Sequence, residues 1–156
     1  MSYKFLEHST DAIIEVIAKD LKEAFKVTAD AVINLTIDQD KVEEKDSLKF
    51  SARGKDLYYL LFSWLEEIPF ILITEGMAIR RIEFEIQKED EYQIKAIAYG
   101  EKLDFKKHNF KVEIKAPTFY EMEIKQENGV FMKFLLDLWI VKNCYVVKLR
   151  KFTCFL

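Results

Sequence analysis

Hydrophobic residues recur every three or four positions in two stretches of the chain, which is the spacing of an amphipathic helix. Residues 20–35 open with Asp20 and Glu23 in capping-box spacing. Residues 56–68 repeat the pattern and are followed by Pro69, which perturbs or ends a helix. The pattern predicts two helices that each bury one face.

Elsewhere apolar and polar residues alternate, which is typical of half-buried strands. This alternation covers residues 3–8, 13–18, 82–87, 92–100, 110–116, 121–125 and 130–138. Asn128 and Gly129 between the last two strands form a dipeptide favoured by tight hairpins. The order is two strands, a helix, a strand, a helix and then a meander of strands. We therefore predict an α+β, two-layer domain with two helices packed on a mainly antiparallel sheet.

Composition narrows the class of protein. The chain has 156 residues, of which 50% are hydrophobic and 33% charged, enough for one globular domain with its own core. Cys144 and Cys154 are the two cysteines, which fits a reducing compartment and offers no thiolate zinc site. No signal-peptide pattern opens the chain, and no apolar run approaches the roughly 20 residues of a membrane span. We expect a cytoplasmic protein that does not enter a membrane.

Charge is distributed unevenly along the chain. Residues 139–156 contain four basic residues and no acidic one, so residues 1–138 hold 20 basic and 27 acidic residues, a net charge of −7. Proteins that bind nucleic acid strongly rely on clustered Lys and Arg. Strong direct nucleic-acid binding is therefore not expected of the acidic body, unless the basic segment provides it.

The usual enzyme motifs are missing from the sequence. The four glycines stand singly, so there is no phosphate loop or dinucleotide fingerprint, and no GxSxG or HExxH occurs. His8 and His108 could each form a base with an acid, although a single histidine near a strand end is more often a bonded structural residue. We expect a protein that is not an enzyme.

The remaining candidate for a functional site is a metal site with oxygen ligands. Glu7, His8 and Asp11 lie in the polar segment EHSTD between two apolar runs, which predicts either a turn or a site. Asp11 and Asp137 both lie at ends of strand-like runs, where a sheet can bring distant residues together. Two carboxylates and a backbone carbonyl suit a hard divalent cation. Nothing in the local sequence requires the two acids to meet.

Several short motifs occur in the order found in the archease family, which this chain resembles over residues 3–138. The matching segments are EHSTD (7–11), LKEAF (21–25), DLYYLLFSWLEE (56–67), ITEG (73–76), AYGEKLD (98–104), His108, VEIKA (112–116), YEMEI (120–124) and FLLDL (134–138). The resemblance implies the archease fold for residues 1–138. Residues 139–156 would then be a basic and apolar C-terminal extension.

The resemblance also implies a metal site. In archeases the matching positions hold a divalent cation described as calcium, and here these positions are Asp11, Asp137 and Leu138. Glu7 and His8 would then support the turn that directs Asp11 toward the ion.

Two further residues match family positions. Glu113 and Lys115 of VEIKA would support the site or face a partner, with a solvated strand face as the alternative interpretation.

The function implied by the resemblance is that of an accessory protein. Archeases act with an RtcB-type RNA ligase in tRNA splicing and promote its guanylylation, which uses GTP and divalent metal. Two alternatives stay open: a metal-dependent hydrolase or nucleotide-handling enzyme that uses the same acids, and a chaperone or modulator of a tRNA-modifying methyltransferase.

The sequence departs from the family pattern in three places. Ser9 and Thr10 replace the preferred Thr-Ala, which keeps a hydroxyl. Residues 117–120 read PTFY where ITYH is usual, so we predict that this strand is an edge strand or is bulged. Archeases usually stop after the residue that matches Leu138. Because this chain continues, Leu138 could offer a cation only its backbone carbonyl.

Overall fold

The computed structural model describes residues 2–6 and 11–139. Its two long helices are α1, Leu21–Thr36, and α2, Leu57–Pro69. These helices lie within one residue of the predicted stretches, so both helix predictions are confirmed.

The two helices begin where local capping chemistry requires. The Asp20 carboxylate accepts a hydrogen bond of 2.8 Å from the backbone N–H of Glu23, and the Asp56 carboxylate accepts one of 3.0 Å from the N–H of Tyr59. Such caps satisfy donors that the first helical turn leaves without partners. Helix starts were therefore readable from the sequence.

Within residues 2–6 and 11–139 there are seven strands, and their pairings are antiparallel. They are β1 Ser2–Leu6, β2 Asp11–Ala18, β3 Asp46–Gly54, β4 Met77–Lys88, β5 Tyr92–Lys102, β6 Glu113–Lys125 and β7 Val130–Trp139. The strands form a four-stranded sheet in the order β1-β2-β7-β6 and a three-stranded sheet in the order β3-β5-β4. The predicted α+β class is confirmed, with the strands divided between two sheets where we expected one.

The core joins the helices to both sheets, and Trp64 lies at its centre. Trp64 is fully buried, and its indole N–H donates a 3.1 Å hydrogen bond to the carbonyl of Phe25 on α1. Its ring stacks on Phe50 of β3 at 5.5 Å and contacts Phe84 of β4 at 5.1 Å. A large aromatic side chain in this position contributes much of the apolar burial that holds the layers together.

Helix α2 ends at Pro69, as the sequence pattern allowed, but the chain stays helical beyond it. A π-helical turn, Phe70–Thr74, follows it directly. Together they give an 18-residue helical stretch, Leu57–Thr74, that is long and apolar enough to cross a membrane by length and composition alone. The expectation that no apolar run approaches the length of a membrane span is therefore wrong for this stretch, half of which is buried inside the domain.

Strand β6 is one long edge strand, whereas the sequence predicted two separate strands at 110–116 and 121–125. The pairing of β6 with β7 shifts between Ile114 and Ala116, and again between Thr118 and Glu123. Pro117 lies between these two irregularities and has no N–H to donate to a neighbour. The expectation that this segment is an edge strand with bulges is confirmed.

Candidate functional site

The register of the four-stranded sheet brings the two aspartates together. Strand β2 begins at Asp11, which lies directly opposite Asp137 near the end of β7. Directly opposed residues in an antiparallel pair have Cβ atoms about 5 Å apart. Although 126 positions separate them in the sequence, the two half-buried carboxyl groups are therefore neighbours.

The proximity of Asp11 changes the pKa of Asp137. The pKa of Asp137 is raised, first by a hydrogen bond with the Asp11 side chain, then by burial and by repulsion from the Asp11 charge. Lys115 acts in the opposite direction and lowers the pKa of Asp137. Two carboxylates in contact resist joint ionisation, so this pair favours either a shared proton or a bound positive charge.

Lys115 reaches this site because of a bulge. It lies at the register shift between Ile114 and Ala116, and Ala116 is the residue opposite Asp137. The Lys115 ammonium lies 4.6 Å from the ring centroid of Trp139, the last residue of β7. Bulges redirect side chains and are frequent next to functional sites. Lys115 is exposed, but it contacts the end of β7 and lowers the pKa of Asp137, and its predicted role stays a prediction.

Glu113 and Leu138 lie at the neighbouring pairing positions of β6 and β7. Glu113 is only 1% exposed and lies opposite Trp139. This burial places Glu113 inside the domain, and its predicted role in supporting the site or facing a partner stays a prediction. Leu138 is half-buried and lies opposite Ile114. Strand β7 continues through Trp139, one residue into the segment that the sequence analysis assigned to the extension.

The other two predicted supporting residues, Glu7 and His8, lie outside the described residues. Within residues 2–6 and 11–139, no three His, Cys, Asp or Glu side chains form a group that could hold a metal ion. Calcium takes six to eight oxygen ligands, so Asp11 and Asp137 fit a cation site only in part. Metal binding therefore stays a prediction.

His108 has a structural role in the described domain. It is fully buried, and its Nδ1 accepts a 3.0 Å hydrogen bond from the backbone N–H of Asp104. The proton must then be on Nε2, which donates a 2.8 Å hydrogen bond to Glu101. Lys107 also pairs with Glu101 at 2.7 Å, and these two bonds hold the pKa of Glu101 well below its usual range. Both ring nitrogens are engaged, so His108 fastens the loop before β6 and is not placed to act as a base.

A group of exposed aromatic residues, which the sequence pattern did not predict, lies where β6 meets α2. Residues 119–122 form a bulge in β6, and Glu121 within it has a φ of 58°. The Phe119 ring stacks on Phe62 of α2 at 4.3 Å and contacts Tyr59 at 5.0 Å. Phe119 and Tyr59 are 44% and 45% exposed. The PTFY departure was the available signal, since it places Pro117 just before two consecutive aromatic residues, Phe119 and Tyr120, in a strand that could not pair normally.

The fold and the carboxylate pair define a class of protein: a small α+β domain that presents two acids at one end of a sheet. Comparison with known protein families then identifies the family. The model of the archease protein family (MTH1598/TM1083) matches residues 3–138. The chain belongs to the archease family.

Individual relatives agree with this assignment. The chain is 39% identical over 140 residues to the protein archease of Pyrobaculum islandicum, covering 88% of this chain and 95% of that protein. It is 38% identical over 125 residues to the protein archease of Pyrococcus abyssi, covering 80% and 88%. The solution structure of Methanobacterium thermoautotrophicum protein 1598 matches with a TM-score of 0.70 at 28% identity, covering 88% of this chain and 99% of that one. Family membership supports a role as an accessory protein of the archease type.

Proposed function

We propose that this protein activates an RtcB-type RNA ligase in tRNA splicing by promoting guanylylation of the ligase and its turnover. The proposed means is a divalent cation, most simply calcium, held by Asp11, Asp137 and the backbone carbonyl of Leu138. The observation that supports this proposal is the register that sets Asp11 opposite Asp137. The function itself is drawn from the family to which the chain belongs.

The acid pair suits a cation because the two carboxyl groups lie directly opposite each other on paired strands. The raised pKa of Asp137 reflects the difficulty of ionising two adjacent carboxyl groups, and Lys115 offsets only part of it. A divalent cation between the two groups would remove their repulsion and allow both to ionise. Lys115 and the buried Glu113 would hold the start of β6 against the site.

A bound cation at this position would supply a positive centre for phosphate oxygens of GTP or of the ligase adduct. The chain's own residues would orient that centre, because Asp11 and Asp137 are fixed by a paired sheet. The ligase would perform the chemistry, and the acidic body of this protein would complement a basic surface on the ligase. No catalytic residue is assigned to this chain.

The experiment measures ligase–GMP adduct formed by an RtcB-type ligase with GTP and metal under multiple-turnover conditions. We expect wild-type protein to stimulate adduct formation and Asp11→Ala or Asp137→Ala to abolish the stimulation. The double variant should be no worse than either single variant, because residues that act as one unit give non-additive losses. Asp90→Ala is the matched control, since Asp90 is an exposed acid in the turn between β4 and β5.

Different outcomes of this experiment test the metal site and the role in ligase activation separately. A folded Asp137→Ala protein that stimulates fully would exclude the carboxylate pair from the mechanism. Wild-type protein that gives no stimulation would contradict the proposed role in ligase activation. Circular dichroism of each variant serves as the folding control.

A further inference from the structure

Trp139 lies on the same face of β7 as Asp137. Met132, Phe134 and Leu136 pack into the core, and side chains alternate between the two faces of a strand, so the residues at odd positions lie on the other face. Two positions along a strand span about 7 Å. The half-buried Trp139 is therefore the next residue after Asp137 on the face that carries the acid pair.

The ammonium of Lys115 lies against the Trp139 ring and not against the acids. Its Nζ is 4.6 Å from the ring centroid. The charge of Lys115 lowers the pKa of Asp137, so the ammonium is near enough to interact with that carboxyl group. Among the ion pairs within residues 2–6 and 11–139, none joins Lys115 to Asp11 or Asp137. The ring thus holds the ammonium beside the acid pair but out of direct contact with it.

Two positions of similar energy are open to this ammonium. A lysine over an exposed aromatic ring and an exposed lysine–carboxylate ion pair both stabilise a protein only weakly, and by comparable amounts. Lys115 is exposed and has a long, flexible side chain. Its neighbour Ala116 lies opposite Asp137, which puts the acid pair within reach. The presence of the Trp139 ring can therefore decide where the ammonium lies.

The position of Lys115 matters for a divalent cation. An ammonium between the two carboxyl groups would neutralise part of their charge and repel a cation that approached them. An ammonium on the Trp139 ring leaves the carboxylate oxygens of Asp11 and Asp137 available as ligands. The same lysine can thus either occupy the cation site or leave it open.

We propose that Trp139 is a positioning residue of the acid site: its ring holds the Lys115 ammonium away from Asp11 and Asp137 and leaves the pair available to a divalent cation. This inference rests on the cation site of the proposed function. Trp139 strengthens cation binding through Lys115 and without touching the ion. Loss of the ring moves the ammonium onto the carboxyl groups and weakens cation binding.

The first measurement on the full-length protein needs no metal. The ring current of Trp139 should shift the side-chain methylene proton signals of Lys115 upfield in nuclear magnetic resonance spectra of the calcium-free protein. Trp139→Leu keeps an apolar side chain but has no ring, and we expect it to lose this shift. Trp139→Phe should keep part of the shift, because a phenyl ring also attracts an ammonium.

The second measurement is calorimetric titration with calcium. Trp139→Leu should weaken calcium binding by roughly two- to fivefold, the factor that corresponds to one cation–π contact at an exposed site. Trp139→Phe should weaken it less. In a Lys115→Met protein, the further change Trp139→Leu should have no effect, because the competing ammonium is absent.

Phe131→Leu is the matched control, since the Phe131 ring lies 5.7 Å from the ammonium of Lys125 near the other end of β7. It removes a similar contact from the same strand and should leave calcium affinity unaltered. Circular dichroism of each variant checks that it folds.

The outcomes distinguish this inference from the proposed function. Lys115 signals that are the same in wild type and Trp139→Leu would overturn the inference whether or not calcium binds. Unchanged calcium affinity in Trp139→Leu would overturn it too, as would an equal loss with and without Lys115, because Trp139 would then act by packing alone. Lys115 signals that depend on Trp139, combined with no calcium binding by the wild type, would instead contradict the cation site of the proposed function.

Discussion

Asp137 is the residue whose protonation the fold perturbs at the candidate site. Its carboxyl group shares a hydrogen bond with Asp11, and burial and the Asp11 charge act in the same direction. Because its pKa is raised in the folded state, the native protein binds this proton more tightly than the unfolded chain does. The contribution of Asp137 to stability is therefore present at low pH and declines as pH rises through the raised pKa.

Replacing Asp137 by Asn should stabilise the metal-free protein at neutral pH. The amide keeps a hydrogen-bond donor for Asp11 and removes the repulsion, which for directly opposed charges is worth about 0.5 kcal/mol. Urea unfolding of both proteins in the presence of a chelator measures the difference. The advantage of Asp137→Asn over wild type should grow as pH rises from about 4 toward 7.

A matched replacement elsewhere should have the opposite sign. Hydrogen bonds from the backbone N–H groups of Lys107 and Lys106 lower the pKa of Asp104. Its stabilising effect is therefore present above its unfolded pKa and is lost in acid, so Asp104→Asn should destabilise at neutral pH. If Asp137→Asn and Asp104→Asn both destabilise by the same amount, Asp137 and Asp11 do not repel each other.

At the scale of elements, the hairpin between β6 and β7 helps to set the position of Asp137 in the sheet. Asn128 and Gly129 have φ values of 52° and 110°, as the dipeptide predicted. A Cβ atom added to Gly129 would lie 2.8 Å from the carbonyl oxygen of Ala18 on β2. The close approach of Gly129 to β2 therefore ties the turn to the same strand that carries Asp11.

Gly129→Ala should lower the free energy of unfolding by more than Gly76→Ala does. Both glycines have positive φ, which costs an L-residue about 1 to 2 kcal/mol, but Gly76 has no atom within 4 Å of an added Cβ. The steric contact with Ala18 adds a further cost of about 1 to 3 kcal/mol at Gly129. Urea unfolding measures both variants, and equal losses would show that Gly129 does not constrain the hairpin against β2.

Local chemistry explains which elements the sequence could predict. The capping residues Asp20 and Asp56 act over only three residues, so the helix starts could be predicted from the sequence. Pro117 lacks a backbone N–H wherever it lies, so an irregular edge strand could also be predicted. The division into two sheets could not be predicted from the sequence. Alternation of apolar and polar residues indicates which face of a strand is buried, but not which other strand pairs with it. Pro69 correctly marked the end of α2, but the π-helical turn after it could not be predicted, since such a turn depends on the packing around it.

At the scale of the whole molecule, the candidate site is a consequence of register. Asp11 and Asp137 were chosen from strand-end positions and from a family resemblance, and only the complete pairing of β2 with β7 brings them together. The position of Lys115 depends on a bulge that alternation does not reveal. Glu7 and His8 lie outside the described residues, so their predicted supporting role stays a prediction.

Calorimetric titration of the full-length protein with calcium tests most directly whether the opposed carboxylates form one cation site. We predict saturable binding by the wild type and by Asp90→Asn, and a loss of affinity of about tenfold or more for Asp11→Asn and for Asp137→Asn, because each removes one of two charged ligands. The double variant should bind no more weakly than the weaker single variant. Unchanged calcium affinity in Asp11→Asn and Asp137→Asn, or no binding by the wild type, would contradict the account.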